Sequence, residues 1–308
     1  MTALADALED YLAMRRALGF RLASAGRYLP DLVASVEERG SDVLTVELAL
    51  AWARRPADAR PAWWAMRLGL VRGFARHLHA LDERHEVPPS DLLPVPRGRP
   101  TPYLYSEADI DRLLGAARGL PLPLQAATHT TLIGLLAVTG MRVGEAIGLD
   151  RDDVDHAAGV LTIRGAKSGR SREVALHPST LAALDAYERT RRRHHPHPRT
   201  PAFLVSTTGT RLLYSNVQLV FGRLLRAAGV AAPPGHPGPR LHDLRHSFAV
   251  RTLLEWYRAG LDVEVRMHRL STYLGHSDPI HTYWYLHAAP ELMAIAAERL
   301  EREMGDLS

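Results

Sequence analysis

The sequence predicts a mainly α fold with a small antiparallel β-sheet, an α+β arrangement in two parts. Three observations carry this. Residues 1–87 place apolar side chains at helical spacing and show no alternating strand pattern. Six prolines crowd residues 87–102, each removing a backbone donor and disfavouring helix in the residue before it. Beyond them, only Val160 to Arg164 and Glu173 to Leu176 read as β-branched strands flanking a turn.

Taken in order, Leu4, Leu8 and Leu12 line one helix face, and Trp63, Leu70, Val71, Phe74, Leu78 and Leu81 line another. This gives a helical domain over 1–87, a Pro-rich linker over 88–102 and a second domain over 103–308, in keeping with 308 residues at about 150 per domain. The second domain opens on Ser106-Glu107-Ala108-Asp109, a capping-box-like helix start running to about Ala117. An apolar run from Thr131 to Thr139 reads as a buried helix that Gly140 interrupts. The turn Ala166-Lys167-Ser168-Gly169 puts Lys167 at the tip of a β-hairpin. Helices are expected over 178–193, 215–228, 241–259, 266–274, 278–287 and 290–303, a third strand over Phe203 to Ser206, and a loop from Gly229 to Pro239.

Composition narrows the function classes. Cysteine is absent, which excludes disulfide scaffolds, Cys-based zinc sites and Cys nucleophiles and predicts a reducing, cytoplasmic setting. The longest stretch without a formal charge, Gly119 to Met141, is too broken by Pro, Gln, His and Thr to span a bilayer, and acids among the first ten residues argue against a signal peptide. A net charge of +4 with pI ≈ 9.5 keeps nucleic acid open as a partner. Lys and Arg total 38, yet Lys167 is the single lysine. Codon bias explains the ratio; a surviving ammonium suggests a donor that must surrender its proton, which a guanidinium will not. No acid lies between Glu188 and Asp243, while nine arginines do, Arg191, Arg192, Arg193, Arg211 and Arg240 among them. Such a one-signed stretch attracts phosphate, although Arg191 to Arg193 equally suit a helix C-terminus.

Four strings combine cations or tyrosines at helix-compatible spacing. In Thr139-Gly140-Met141-Arg142-Val143-Gly144-Glu145 the glycines allow close backbone approach and Glu145 braces Arg142. In Leu241-His242-Asp243-Leu244-Arg245-His246, His242 and Arg245 project from one helix face. Leu274-Gly275-His276 and Tyr283-Trp284-Tyr285 complete the set. Each alone has an ordinary reading: a surface ion pair, a packing histidine, a core tyrosine. Together, two arginines, two histidines, a hairpin lysine and a tyrosine suit phosphoryl transfer without metal. Forked guanidiniums hold non-bridging oxygens, a lysine protonates the leaving oxygen and a tyrosine attacks phosphorus.

In order and spacing these residues resemble the tyrosine recombinases of the phage integrase family. Its pattern of first Arg, hairpin Lys, His-x-x-Arg, Leu-Gly-His and a Tyr nine residues later falls on Arg142, Lys167, His242, Arg245, His276 and Tyr285. The resemblance covers most of 103–290, and the string HTYWYLHAAPELM is similar to integrases of mobile elements and plasmids. The N-terminal helices resemble the family's SAM-like core-binding domain, which clamps DNA together with the catalytic domain. The hairpin departs from the usual Gly-Lys-Gly, with Ala166-Lys167-Ser168 followed by Arg170 and Arg172 as later positive charges. Tyr283 is a rival nucleophile that the family spacing disfavours.

The resemblance implies a site-specific recombinase or integrase that cuts and rejoins DNA through a 3′-phosphotyrosyl link. Tyr285 attacks, His242 acts as base, Arg142, Arg245 and His276 bind the phosphate, and Lys167 is the general acid. It implies double-stranded DNA as partner and a tetramer of protomers on paired sites, with accessory recombinases or DNA-bending proteins as further partners. The C-terminal helix bearing Leu292, Ile295, Ala296 and Leu300 packs either on its own protomer or on a neighbour. No cofactor is expected: residues 161 and 166 break the P-loop fingerprint, there is no His-Glu-x-x-His, and His194, His195 and His197 read as a solvated basic patch. Two alternatives are a type IB topoisomerase, which uses a similar residue set, and a non-catalytic DNA-binding protein.

Overall fold

The structure is a computed structural model and describes all residues except Met1, Thr2, Pro56, 95–100, 165–170, Ser277, Pro279 and 289–308. The sequence expectations for Lys167 and its turn, for much of the linker and for helix 290–303 lie outside the described residues. The chain divides into two compact units, Met1–Arg99 and Pro100–Ser308.

Among its described residues the first unit holds four helices: α1 (Ala3–Ala17), α2 (Ala23–Glu37), α3 (Val46–Ala53) and α4 (Pro61–Leu81). Leu4, Leu8 and Leu12 are buried, as the spacing predicts. Along α4, Val71, Phe74 and Leu78 enter the core, whereas Leu81, at the helix end, stays exposed. Thr45 caps α3 by accepting from the Leu48 amide, and Pro61 opens α4, where its missing N–H costs nothing. Trp52 is fully buried at the centre, its indole N–H donating to Asp31 at 2.7 Å.

The second unit begins with α5 (Glu107–Arg118), closed by a complete Ser106/Asp109 capping box. Next comes α6 (Pro123–Thr139), longer than the apolar run because Pro123 starts it about two turns earlier. After α7 (Val143–Gly148), a 3-10 turn leads into β1 (Val154–Asp155), β2 (Val160–Ile163) and β3 (Arg172–Ala175), an antiparallel sheet in the order β1-β2-β3. Helices α8 (Pro178–His194), α9 (Tyr214–Ala227), α10 (Asp243–Arg258), α11 (Val263–Leu274) and α12 (Ile280–Ala288) follow. The mainly α class with a small antiparallel sheet is therefore observed.

The third strand is a correction: it is β1, and Phe203 to Ser206 forms no strand of the sheet. Ala202, Phe203, Leu204 and Val205 are all buried without alternation. Their backbone donors go instead to a loop and a side chain, Phe203 N–H to the Leu149 carbonyl and Val205 N–H to the Tyr187 hydroxyl. Among the described residues no helix is long and apolar enough to cross a membrane.

Candidate active site

Arg142 stands just before α7, the element it initiates: its backbone N–H donates to Glu145 Oε2 at 2.9 Å and its Nη1 to Glu145 Oε1 at 2.9 Å. Its Nη2 reaches the Gly275 carbonyl at 3.1 Å. The sequence motifs 139–145 and 274–276 are thus joined by one guanidinium.

Arg245 lies one turn into α10 and is only 2% exposed. Its Nη1 donates to the Gly140 carbonyl at 2.9 Å and its Nη2 to the Leu274 carbonyl at 2.7 Å. Both acceptors belong to helix C-termini, where carbonyls lack intrahelical partners and the dipole is negative. Gly140 and Gly275 end α6 and α11 in the left-handed conformation, with φ of 60° and 67°. A side chain at Gly140 would also strike Phe248, at 2.4 Å from an added Cβ. Gly144, by contrast, has open space beside it, so only the first glycine of its motif serves a close approach.

Arg245 makes no carboxylate ion pair among the described residues; its terminal nitrogens go to the two carbonyls, and Tyr285 acts on it through its field. Burial pushes its pKa down to about 10, with the Tyr285 hydroxyl opposing that shift and Arg142 reinforcing it. A guanidinium held this way remains charged at neutral pH, and no ion pair among the described residues neutralises it, Glu145 acting on it only through its field. Such a group attracts an anion.

Tyr285 is 2% exposed on α12 and is ringed by aromatic groups. Its ring centroid lies 5.4 Å from His246, 5.7 Å from Trp284 and 6.0 Å from His276, the last nearly parallel. Tyr283 is half-buried. His276 Nδ1 meets the hydroxyl of Thr282 at 2.7 Å, and Thr282 is completely buried one turn before Tyr285. The helix that carries the tyrosine therefore also orients the histidine. His242 stands at the head of α10 with an exposed edge, its ring 4.8 Å from His246. The protein packed around it, and next the Arg245 charge, lower its pKa below 6.5 and favour the neutral imidazole.

Five of the six expected residues, Arg142, His242, Arg245, His276 and Tyr285, are thus linked by direct contacts or by fields that reach one another. Lys167 lies outside the described residues. Two further participants escaped the sequence reading. Thr282 is flagged only by falling three residues before Tyr285 on one helix. Arg172, expected only as a later positive charge of the hairpin, is folded against Glu145, with Nη2 to Oε2 at 2.7 Å.

The arginine-rich interval is likewise not one-signed in space. Arg191 bonds the Phe203 carbonyl and Glu188, Arg211 pairs with Asp150, and Arg240 pairs with Asp243. Among the described residues the one grouping with metal-ligand composition is His156, Asp185 and Glu188. There the two ring nitrogens face different carboxylates, at 2.9 and 3.8 Å, the arrangement of an ion bridge.

The model of the "Phage integrase family" matches residues 104–291. Over 99% of both chains the sequence is 46% identical to a putative integrase/recombinase, y4rB, of Sinorhizobium fredii. It is 30% identical to the tyrosine recombinase XerC of Mycobacterium tuberculosis, covering 97% of this chain and 98% of that one. In fold it is similar to the Tn1549 transposon integrase solved with transposon right end DNA, at a TM-score of 0.66, 18% identity and coverage of 98% and 99%. A lambda integrase dimer bound to a core site shares the fold at a TM-score of 0.59 and 18% identity, over 91% of this chain and 76% of that one.

Proposed function

Because the chain belongs to the phage integrase family and is a tyrosine-type site-specific DNA recombinase, we propose that Tyr285 is its nucleophile and that Arg142, Arg245 and His276 hold the scissile phosphate. The observation that carries this assignment is Arg245: a buried cation held by two backbone carbonyls, with no carboxylate ion pair among the described residues, and lying in the field of the buried Tyr285.

In this reading the Tyr285 oxygen attacks phosphorus, a 3′-phosphotyrosyl bond forms, and the bond to the 5′-oxygen breaks. A tyrosine hydroxyl with an ordinary pKa of about 10 needs help at neutral pH, which a neutral His242 as base and the surrounding cations supply. Negative charge gathering on the non-bridging oxygens is matched by Arg142 and Arg245, which are fixed before DNA arrives and need little reorganisation. Lys167 donates the proton to the departing 5′-hydroxyl. Another strand's 5′-hydroxyl then reverses the chemistry, and since the phosphotyrosyl bond keeps the phosphodiester's energy, no nucleotide is consumed.

Double-stranded DNA is the substrate, contacted mainly through phosphates, with residues 1–87 as the core-binding domain and 103–308 as the catalytic one. Dimers and DNA complexes among the structural neighbours support self-association on DNA. Strand exchange between two duplexes calls for four protomers on paired sites, acting in the cytoplasm, where such DNA lies.

A trapping assay tests the assignment, with nicked suicide duplexes built from DNA flanking the gene and denaturing gels of wild type, Tyr285→Phe and Tyr283→Phe. The expected result is a covalent band lost only in Tyr285→Phe; loss only in Tyr283→Phe overturns the choice of nucleophile. Lys167→Arg is expected to bind DNA and cleave slowly, because arginine is a poor acid. Unimpaired cleavage removes the general-acid role.

A further inference from the structure

Arg172 opens β3, the strand that follows Lys167 by five residues. Its side chain is only 11% exposed and faces a Glu145 side chain that is 8% exposed. All three nitrogens are engaged: Nη1 donates to Glu145 Oε1 at 3.1 Å, Nη2 to Oε2 at 2.7 Å, and Nε to the Tyr273 carbonyl at 2.8 Å. The guanidinium also lies against Gly275, where an added Cβ would come within 2.7 Å of Nη1. One residue thus ties β3, Glu145 and the turn of the 274–276 motif together.

The Glu145 carboxylate explains why this matters. It accepts from the Arg142 amide and Arg142 Nη1 as well as from both terminal nitrogens of Arg172. Four donors fill the roughly four lone-pair sites of a carboxylate. Arg172 balances the negative charge, so Arg142 gives Glu145 a single side-chain nitrogen and keeps Nη2 on the Gly275 carbonyl. Without Arg172 the buried carboxylate has one cation left. The favoured geometry of such a pair is bidentate, which would swing Arg142 onto Glu145 and away from Gly275. Glu145 itself holds a pKa below the usual carboxylate range despite burial, because Arg172 and Arg142 donate to it.

We infer that Arg172 is a positioning residue of the recombination site: it occupies half of Glu145 and thereby sets Arg142 and the Gly275 turn to receive the scissile phosphate. This rests on the reading of Arg142 as a phosphate ligand. The same contact anchors the start of β3, five residues after Lys167 in sequence.

The test is single-turnover covalent trapping on two nicked duplexes, one with the ordinary scissile phosphate and one with a methylphosphonate, whose methyl group removes the negative charge. Wild type, Arg172→Met, Arg172→Lys, Glu145→Gln and the double variant Arg172→Met/Glu145→Gln are compared, with DNA affinity and thermal midpoint measured for each. Arg172→Met is expected to form the covalent product about 30-fold more slowly on the phosphate, the size expected for losing a charged hydrogen bond. Affinity is expected to change by no more than about twofold, since phosphate contacts along the duplex dominate it. On the methylphosphonate, with no anion to clamp, the defect is expected to shrink to about threefold or less. The double variant is expected to regain much of the rate, because the uncompensated carboxylate is gone.

Equal slowing on both duplexes, an unchanged rate, or a double variant no faster than Arg172→Met overturns the inference. Failure of both Arg172 variants to fold also overturns it, in favour of a purely structural ion pair. A wild type that binds DNA tightly yet traps no covalent product sinks the reading of the site as well, whereas a trapped wild type with an indifferent Arg172→Met sinks this inference alone.

Discussion

Two buried guanidiniums, one in each unit, are handled in opposite ways. Arg67, 7% exposed in the helical unit, stacks 3.8 Å over the Trp52 ring, faces Asp31 at 3.6 Å and donates to the Arg55 carbonyl. Among the described residues Arg245 makes no ion pair and stacks on no ring; its terminal nitrogens go to two carbonyls, with Glu145 and Tyr285 acting on it through their fields. Burial lowers the pKa of both. In the first unit the cation is part of the packing and is neutralised there. In the second it is held by backbone carbonyls with no ion-pair partner among the described residues, a cost in folding free energy that an anion would offset in the proposed reading. Burial is common to both; the two differ in what their nitrogens touch.

The largest expected effect breaks the pair from the second side. Arg245→Ala is expected to bind DNA but to lose covalent-product formation by about 10³-fold or more, as removal of a transition-state charge clamp does; retained turnover would mean the clamp is elsewhere. Arg67→Met is expected to do the reverse, lowering stability by about 1–3 kcal/mol through the lost stack and hydrogen bond while the folded protein cleaves normally. Denaturant titration and trapping at low temperature separate the two outcomes.

A basic group buried uncharged sharpens the contrast further. His85 accepts the Leu44 N–H on Nδ1 at 2.9 Å, and burial, ahead of the fields of Asp82, Arg84, Asp42 and His79, lowers its pKa from 6.5. As the pH falls through 6.5 the unfolded chain takes up this proton first, so folding stability declines from there down to the lower folded pKa. His85→Gln, which keeps an acceptor but does not titrate, is expected to flatten the slope of thermal midpoint against pH between 6.5 and 5; an unchanged slope would place the linkage in other histidines. The smallest effect is expected at Thr282→Val, which takes the partner from His276 Nδ1: cleavage about tenfold slower or less, with a nearly unchanged thermal midpoint. An unaltered rate would show that stacking on Tyr285 orients His276 unaided.

Much of this was legible in sequence, and the limits have physical causes. Helices showed because apolar spacing and caps are local, as with Ser106 and Asp109 on α5 or Leu4, Leu8 and Leu12 on α1. The motif residues were picked out because their order and spacing resemble those of the phage integrase family, to which the chain belongs. Phe203 to Ser206 misled because a buried loop has a strand's composition, and only tertiary partners such as the Tyr187 hydroxyl show where its backbone donors go. Arg172 was incompletely read for a related reason: a charge in a basic hairpin shows no partner until the fold brings Glu145 to it from 27 positions away. The same blindness made the interval from Glu188 to Asp243 look one-signed, although Asp150 lies against Arg211.

The clasp on Arg245 is made of main chain, the carbonyls of Gly140 and Leu274, and Arg142 adds a third such contact at Gly275. Backbone acceptors are encoded by no particular codon. Single-base changes that disarm the cradle are therefore concentrated at the cations themselves and at Gly140 and Gly275, whose left-handed turns aim those carbonyls. Most positions around the cradle can therefore drift without losing it, and its mutational target is correspondingly narrow.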